Sequence, residues 1–320
     1  MRVAVVGTGF IGQAWAIVFA RAGCEVFLWD ADPAALNASL HAIAARLQEL
    51  EKHGLIDAAD ARGRIQACDT LEHAVADVEH VQENLPEVLD VKVDAFRELD
   101  RLAPHNAVLA SSSSGLPISS FATKLRGRER CVVAHPVNPP YLLPVVEVCG
   151  ASWTSPEVLE RTCAMLERVG QRPVMVKREL PGFVLNRLQA ALLREAFWLV
   201  DNGYVDVEGL DRTVKEGLGL RWALMGPFET IDLNAPGGLD DYCERYGAMH
   251  LSFGRDERPQ SGVGWPAHLV QQVNAARSVI LPRAELNARR AWRDSQLMKL
   301  AAHKLNQEPC REGSAERKGT

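Results

Sequence analysis

Residues 2 to 30 read RVAVVGTGFIGQAWAIVFARAGCEVFLWD, and this stretch decides the fold. RVAVV is a run of β-branched and small apolar residues, which suits a strand buried on both faces. It runs into Gly7-Thr8-Gly9-Phe10-Ile11-Gly12, and AWAIVFARAG then continues with helical spacing to Gly23. A second apolar strand, EVFLWD, ends on Asp30. A G-x-G-x-x-G turn between a strand and a helix, with an acid closing the next strand, is the arrangement that binds a dinucleotide. Gly7 permits the tight turn, Gly9 lets a pyrophosphate approach the backbone, and Gly12 lets helix and strand pack closely. The N–H groups of the helix start, from Phe10 and Ile11 onward, face the phosphates. Asp30 would accept hydrogen bonds from the adenosine ribose and repel a 2′-phosphate, so NAD rather than NADP is expected. The other role open to Asp30, capping the helix of DPAALNASL, suits Asp32 better, because Pro33 follows it at the first helical position.

Beyond this unit, residues 33 to 64 read as a long helical pair broken near His53-Gly54. Its basic face, Arg46, Lys52, Arg62 and Arg64, reads as solvated surface or as a contact for an anionic group such as a CoA phosphate. Then come VEHVQEN (78–84), a helix from Pro86 to Leu102, AVLASSSSG (107–115), CVVAHPVNPP (131–140), LPVVEVCG (143–150) and PVMVKRE (173–179). Strands alternating with helices predict an α/β fold with a Rossmann-like, doubly wound, mainly parallel sheet. Strand patterns stop after Pro181-Gly182. The expected domains are a Rossmann-like NAD-binding domain over 1–180, a smaller all-helical substrate and dimerisation domain over 181–305, and a polar tail over 306–320. The helix FVLNRLQAALLREAFWLVDNG is apolar on more than one side, so it is expected to pack against a second copy in a homodimer.

With 47% hydrophobic and 24% charged residues the composition is that of a soluble globular protein. The formal charge of −5 supplies no basic face for nucleic acid, which favours a small-molecule partner. No stretch approaches the length of a membrane span. The apolar run after Met1-Arg2 is too short for a signal peptide. Seven cysteines without a C-x-x-C pair suggest neither a disulfide framework nor a metal site. A cytoplasmic, metal-free protein is expected.

Several of these strands end in polar groups, where ligands bind in such folds. His135 closes an apolar strand in AHPVNPPY, and twelve residues later Glu147 interrupts PVVEV. A carboxylate inside an apolar strand is costly unless paired. If the two strands are neighbours, Glu147 would fix the tautomer of His135 and raise its basicity. Ser114 ends another strand, and Asn186 stands in the first turns of the long helix. Each has a plain alternative: a core histidine, a serine-rich turn, a helix–helix hydrogen bond.

The set resembles the 3-hydroxyacyl-CoA dehydrogenase superfamily, and within it the lambda-crystallin branch, whose enzymatic members are L-gulonate 3-dehydrogenases. The resemblance is carried by VVGTGFIG, VQENLPE, LASSSSGLPIS, VAHPVNPPY, GFVLNRLQ, GLGLRWALMGPFET and RRAWRDSQLM, from residue 5 to about 298. It implies that His135 is the base taking the hydroxyl proton, that Glu147 orients it, and that Ser114 and Asn186 hold the reacting oxygen. It also implies that Glu83 and Asn84 lie beside the nicotinamide ribose. The acyl-CoA enzymes carry two aromatic residues after the histidine; here stand Pro136 and Val137, as in the lambda-crystallin branch. Arg221, in GLGLRW, is a candidate partner for a substrate carboxylate, or else part of an interdomain or surface salt bridge. The resemblance therefore implies NAD-dependent oxidation of a short 3-hydroxy acid. L-gulonate leads, ahead of a short-chain 3-hydroxyacyl-CoA and carnitine. A crystallin-like structural role is the non-enzymatic alternative.

Overall fold

The computed structural model describes residues 1–253 and 267–305. Its sheet has eight strands in the order β3-β2-β1-β4-β5-β6-β7-β8. These are β1 (Arg2–Val6), β2 (Glu25–Trp29), β3 (Ile65–Ala67), β4 (His80–Glu83), β5 (Val108–Ser111), β6 (Cys131–Pro136), β7 (Val145–Cys149) and β8 (Arg172–Met175). Every neighbouring pair is parallel except β6 with β7. The mainly parallel, doubly wound sheet expected from the alternating pattern is what forms.

Strand β1 is apolar on both faces because both are covered. On β1, Val3 and Val5 enter one core while Ala4 and Val6 enter the other, as the two-residue period of a strand requires. The first core holds α1 (Phe10–Arg21), α2 (Pro33–Lys52) and α7 (Pro156–Arg168) against the sheet. The second holds α4 (Leu71–Val75), α5 (Leu89–Leu102) and α6 (Ser119–Ala122). Asp32 caps α2 through the Ala34 N–H at 2.9 Å, with Pro33 in its first turn. The expected break after α2 is present, and the short α3 (Ala58–Gly63) follows it.

The chain divides into two compact units: Met1–Leu188 together with the chain from Arg290, and Gln189–Arg289. The division between these compact units falls inside α8 (Leu185–Asp201). The helix α14 (Leu286–Leu305) also runs into the first unit instead of ending the second. The reason is packing: Met298 is fully buried in the first core, and the buried Asp294 pairs with Arg46 of α2 at 3.5 Å. The second unit is helical among the described residues, with a small core around Val200 and Val207. The expected polar tail at 306–320 lies outside the described residues. No helix among the described residues is long and apolar enough to cross a membrane.

Candidate active site at the carboxyl ends of the strands

The loop after β1 has the stereochemistry its glycines suggest. Gly7 sits at φ +89°, where a side chain is strained, and a methyl there would press on the Asn84 backbone at 3.0 Å. At Gly12 a methyl would stand 1.9 Å from the Gly7 carbonyl oxygen, so helix and loop pack too tightly for any other residue. A methyl on Gly9 would meet nothing within 4 Å, so the backbone is open to an approaching group. No side chain caps α1, which leaves the first-turn N–H groups of Phe10, Ile11 and Gly12 to an external anion. These features fit the pyrophosphate of a dinucleotide.

Asp30 follows β2 as expected and also ties down the loop. Its Oδ2 accepts from Thr8 N at 2.7 Å and Thr8 Oγ1 at 2.8 Å, while Oδ1 accepts from Asp32 N at 3.0 Å. With Oδ2 filled, Oδ1 keeps capacity for one ribose hydroxyl. One carboxylate thus shapes the glycine loop and still presents an acceptor.

The four serines from the end of β5 onward, Ser111 to Ser114, have separate tasks. Ser111 donates to Glu83 Oε2 at 2.6 Å, Ser112 to Asn84 Oδ1 at 2.7 Å, and Ser113 to Glu87 Oε1 at 2.6 Å. Ser114 is exposed, and its hydroxyl has no hydrogen-bond partner among the described residues. Glu83 corrects the expectation of a ligand contact. It is fully buried, and Lys92 Nζ bridges its two oxygens at 3.0 and 3.1 Å while the Leu85 N–H donates at 2.6 Å. No face of it is left for a ribose, so it acts as a clamp beneath the site. Burial pushes its carboxyl up against the pull of Lys92. The amide group of Asn84 is likewise spent, on Gln82 O at 2.8 Å and Val6 O at 3.4 Å.

Two residues of this network, Lys92 and Glu87, carry no signal of their role in the sequence. Lys92, on α5, is as buried as Glu83 and also reaches Glu87 at 3.5 Å. Glu87 Oε1 gathers the N–H groups of Ser114, Gly115 and Leu116 at 3.1, 2.9 and 3.1 Å. Burial alone would raise the Glu87 carboxyl. The Ser113 hydroxyl, the N–H groups of Gly115 and Leu116, and Lys92 outweigh that and hold it low. The segment carrying Ser114 is therefore pinned from below by a charged network.

His135 and Glu147 are direct partners in the β6–β7 ladder. Nδ1 of the imidazole lies 2.8 Å from Glu147 Oε2, and both side chains are buried. A carboxylate only accepts, so Nδ1 carries the proton and Nε2 keeps its lone pair in the neutral ring. Glu147 Oε1 accepts from Val184 N at 2.7 Å and Leu185 N at 2.9 Å, at the start of α8. Burial would raise the Glu147 carboxyl, but His135 and these two N–H groups overcome it and hold the carboxyl below its ordinary range. Asn186, in the next position, donates from Nδ2 to the Ser114 carbonyl at 2.9 Å. The structure thus brings Ser114, His135, Glu147 and Asn186 together from four elements. A buried imidazole with one nitrogen fixed by a carboxylate can take a proton from an alcohol. Arg221 lies exposed in the second unit, on α10 (Gly219–Trp222). Among the described residues no group of three or more histidine, cysteine or acidic side chains is placed to hold a metal ion.

Comparison with known proteins places the chain in a family. The 3-hydroxyacyl-CoA dehydrogenase NAD binding domain matches residues 2–179, and the C-terminal domain of the same family matches 182–263. Lambda-crystallin of Oryctolagus cuniculus is 40% identical over 317 residues, covering 96% of this chain and 97% of its own. An L-carnitine dehydrogenase of Streptomyces griseus is 43% identical over 261 residues, covering 81% of this chain and 78% of its own. Among solved structures, 5-formyl-3-hydroxy-2-methylpyridine 4-carboxylic acid 5-dehydrogenase, an NAD+-dependent dismutase, superposes with a TM-score of 0.77 at 28% identity, covering 94% of this chain and 98% of that one. On the extent of these matches, the chain belongs to the 3-hydroxyacyl-CoA dehydrogenase family, in its lambda-crystallin branch, and is an NAD-dependent oxidoreductase.

Proposed function

We propose that the chain oxidises the 3-hydroxyl of a short 3-hydroxy acid, L-gulonate to 3-dehydro-L-gulonate being the leading reaction. The observation that carries the chemistry is the buried His135–Glu147 pair, with Nδ1 committed and Nε2 left to act. Gly7, Gly9, Phe10, Ile11, Gly12 and Asp30 would hold NAD, which would supply the hydride acceptor for the carbinol carbon. His135 Nε2 takes the hydroxyl proton, and the Glu147 carboxylate stabilises the imidazolium that results. Ser114 Oγ and the unspent N–H of Asn186 hold the oxygen as it becomes a carbonyl. Glu147 stays ionised throughout, because the Val184 and Leu185 N–H groups share its charge.

Three features support a short acid over a CoA thioester. Pro136 and Val137 stand where the acyl-CoA enzymes carry aromatic residues. The full-length relationship is to lambda-crystallin. On the basic face, Arg46 is engaged by Glu49 and Asp294 and Arg64 by Asp60, so two of its four cations are already neutralised. Arg221 is proposed as the substrate carboxylate's partner. The relationship to L-carnitine dehydrogenase keeps a second reading, a 3-hydroxy acid bearing a quaternary ammonium. A homodimer is proposed because α8 exposes Leu188, Leu192 and Leu193 and buries only Val200. A cytoplasmic location is proposed from the unpaired cysteines.

The test is NADH production with L-gulonate, L-carnitine and 3-hydroxybutyryl-CoA in parallel. The reading requires kcat/KM for gulonate at least ~10²-fold above the others, about 2.7 kcal/mol of transition-state preference. A clear advantage for the thioester or for carnitine would replace it.

A further inference from the structure

The turn between β8 and α8 contains a feature that proton transfer by His135 does not by itself explain. Phe183 has φ +46°, and among the described residues no other non-glycine residue has a positive φ. Gly182 beside it sits at φ +77°, where glycine is at ease. A bulky side chain in the left-handed region is strained, and it persists only where its surroundings over-determine it. Those surroundings are visible. The Phe183 side chain is fully buried, with its ring centroid 5.8 Å from that of His135 and inclined by 32°. The next two N–H groups, of Val184 and Leu185, are the ones that hold Glu147 Oε1. One turn therefore addresses both members of the pair, the carboxylate through its backbone and the imidazole through its aromatic ring.

We propose that Phe183 is a positioning residue for His135. The left-handed turn drives its ring against the imidazole, holds Nδ1 on Glu147, and keeps water away from that hydrogen bond. The proposal rests on reading His135 as the base, and its test has a readout that needs no substrate. Glycine at 183 relieves the backbone strain while removing the ring, so Phe183→Gly separates a fold requirement from a positioning one. Phe183→Leu keeps apolar bulk without a flat ring and serves if the glycine variant does not fold.

With ¹⁵N-labelled histidine, and His135 assigned by comparison with His135→Gln, the neutral imidazole of the unaltered protein is expected wholly as the Nδ1–H tautomer. In Phe183→Gly, or in Phe183→Leu, both tautomers are expected, and kcat is expected to fall at least ~10-fold with NADH affinity little changed. A single Nδ1–H tautomer with unchanged kcat in the folded variants would overturn the proposal. If the unaltered protein oxidises no 3-hydroxy acid, the catalytic reading fails, and the tautomer measurement still decides whether Phe183 positions the ring.

Discussion

Glu147 stands directly opposite His135 in the antiparallel ladder of β6 and β7, and its two oxygens serve different partners. Oε2 meets the imidazole at 2.8 Å, while Oε1 takes two N–H groups from the start of α8 at 2.7 and 2.9 Å. This division holds the ring and ties the helix carrying Asn186 to the same carboxylate. Replacing Glu147 by Gln removes the charge that stabilises the imidazolium and leaves one acceptor for two tasks. Steady-state assays should show kcat lowered by between ~10² and ~10⁴-fold. NADH affinity, read by fluorescence titration, should change little.

The glycine loop supports a paired test. A methyl at Gly9 meets nothing, whereas one at Gly12 meets the Gly7 carbonyl oxygen at 1.9 Å. Gly9→Ala should therefore keep the melting temperature of the unaltered protein yet weaken NADH, because the methyl stands where the pyrophosphate approaches. Gly12→Ala should lose both, with a stability cost of about 1–3 kcal/mol or more from overpacking. Equal NADH affinity in Gly9→Ala and the unaltered protein would displace the cofactor from this loop.

Lys92 and Glu83 form an ion pair with neither member exposed. Lys92→Met leaves the Glu83 carboxylate buried and unpaired, which should cost about 3–5 kcal/mol in urea denaturation. Adding Glu83→Gln should recover part of that loss, because the unpaired charge is then gone. If the single and double variants are equally unstable, the pair is not what Lys92 supplies.

These elements differ in how plainly they could be read in the sequence. The glycines at 7, 9 and 12 were legible from their spacing between a strand and a helix, and contacts leave Gly7 and Gly12 few alternatives. His135 and Glu147 stood out because a charged residue inside an apolar strand demands a partner, and the adjacent strands supplied it. Lys92 was illegible, since a lysine on an amphipathic helix ordinarily faces water and only the tertiary position of Glu83 turns it inward. Phe183 looks like any apolar residue until its backbone angle is known. The strand β3 spans only Ile65–Ala67 at the sheet edge, too short to show alternation. The return of α14 to the first unit depends on contacts of Asp294 and Met298 that no local pattern announces.

His80 is buried on β4, with Nε2 3.0 Å from Gln82 Oε1. Burial lowers its pKa from 6.5 to about 4. The unfolded chain thus binds the extra proton first. The stability linked to neutral His80 is complete above about pH 6.5 and is lost as the pH falls from there toward 4. Over that window the loss should be on the order of 3 kcal/mol. His80→Phe should flatten this slope in denaturation measured at successive pH values, and an unchanged slope would assign it elsewhere.

In the proposed chemistry His135 moves the proton, and His135→Gln removes that capacity. Glutamine has about the right size for the site and can face Glu147 through its amide, but it cannot take a proton. With L-gulonate and NAD at saturation, kcat should fall at least ~10²-fold, while NADH should bind as it does to the unaltered protein. A His135→Gln enzyme that turns over at the original rate would contradict the account, whatever the substrate proves to be.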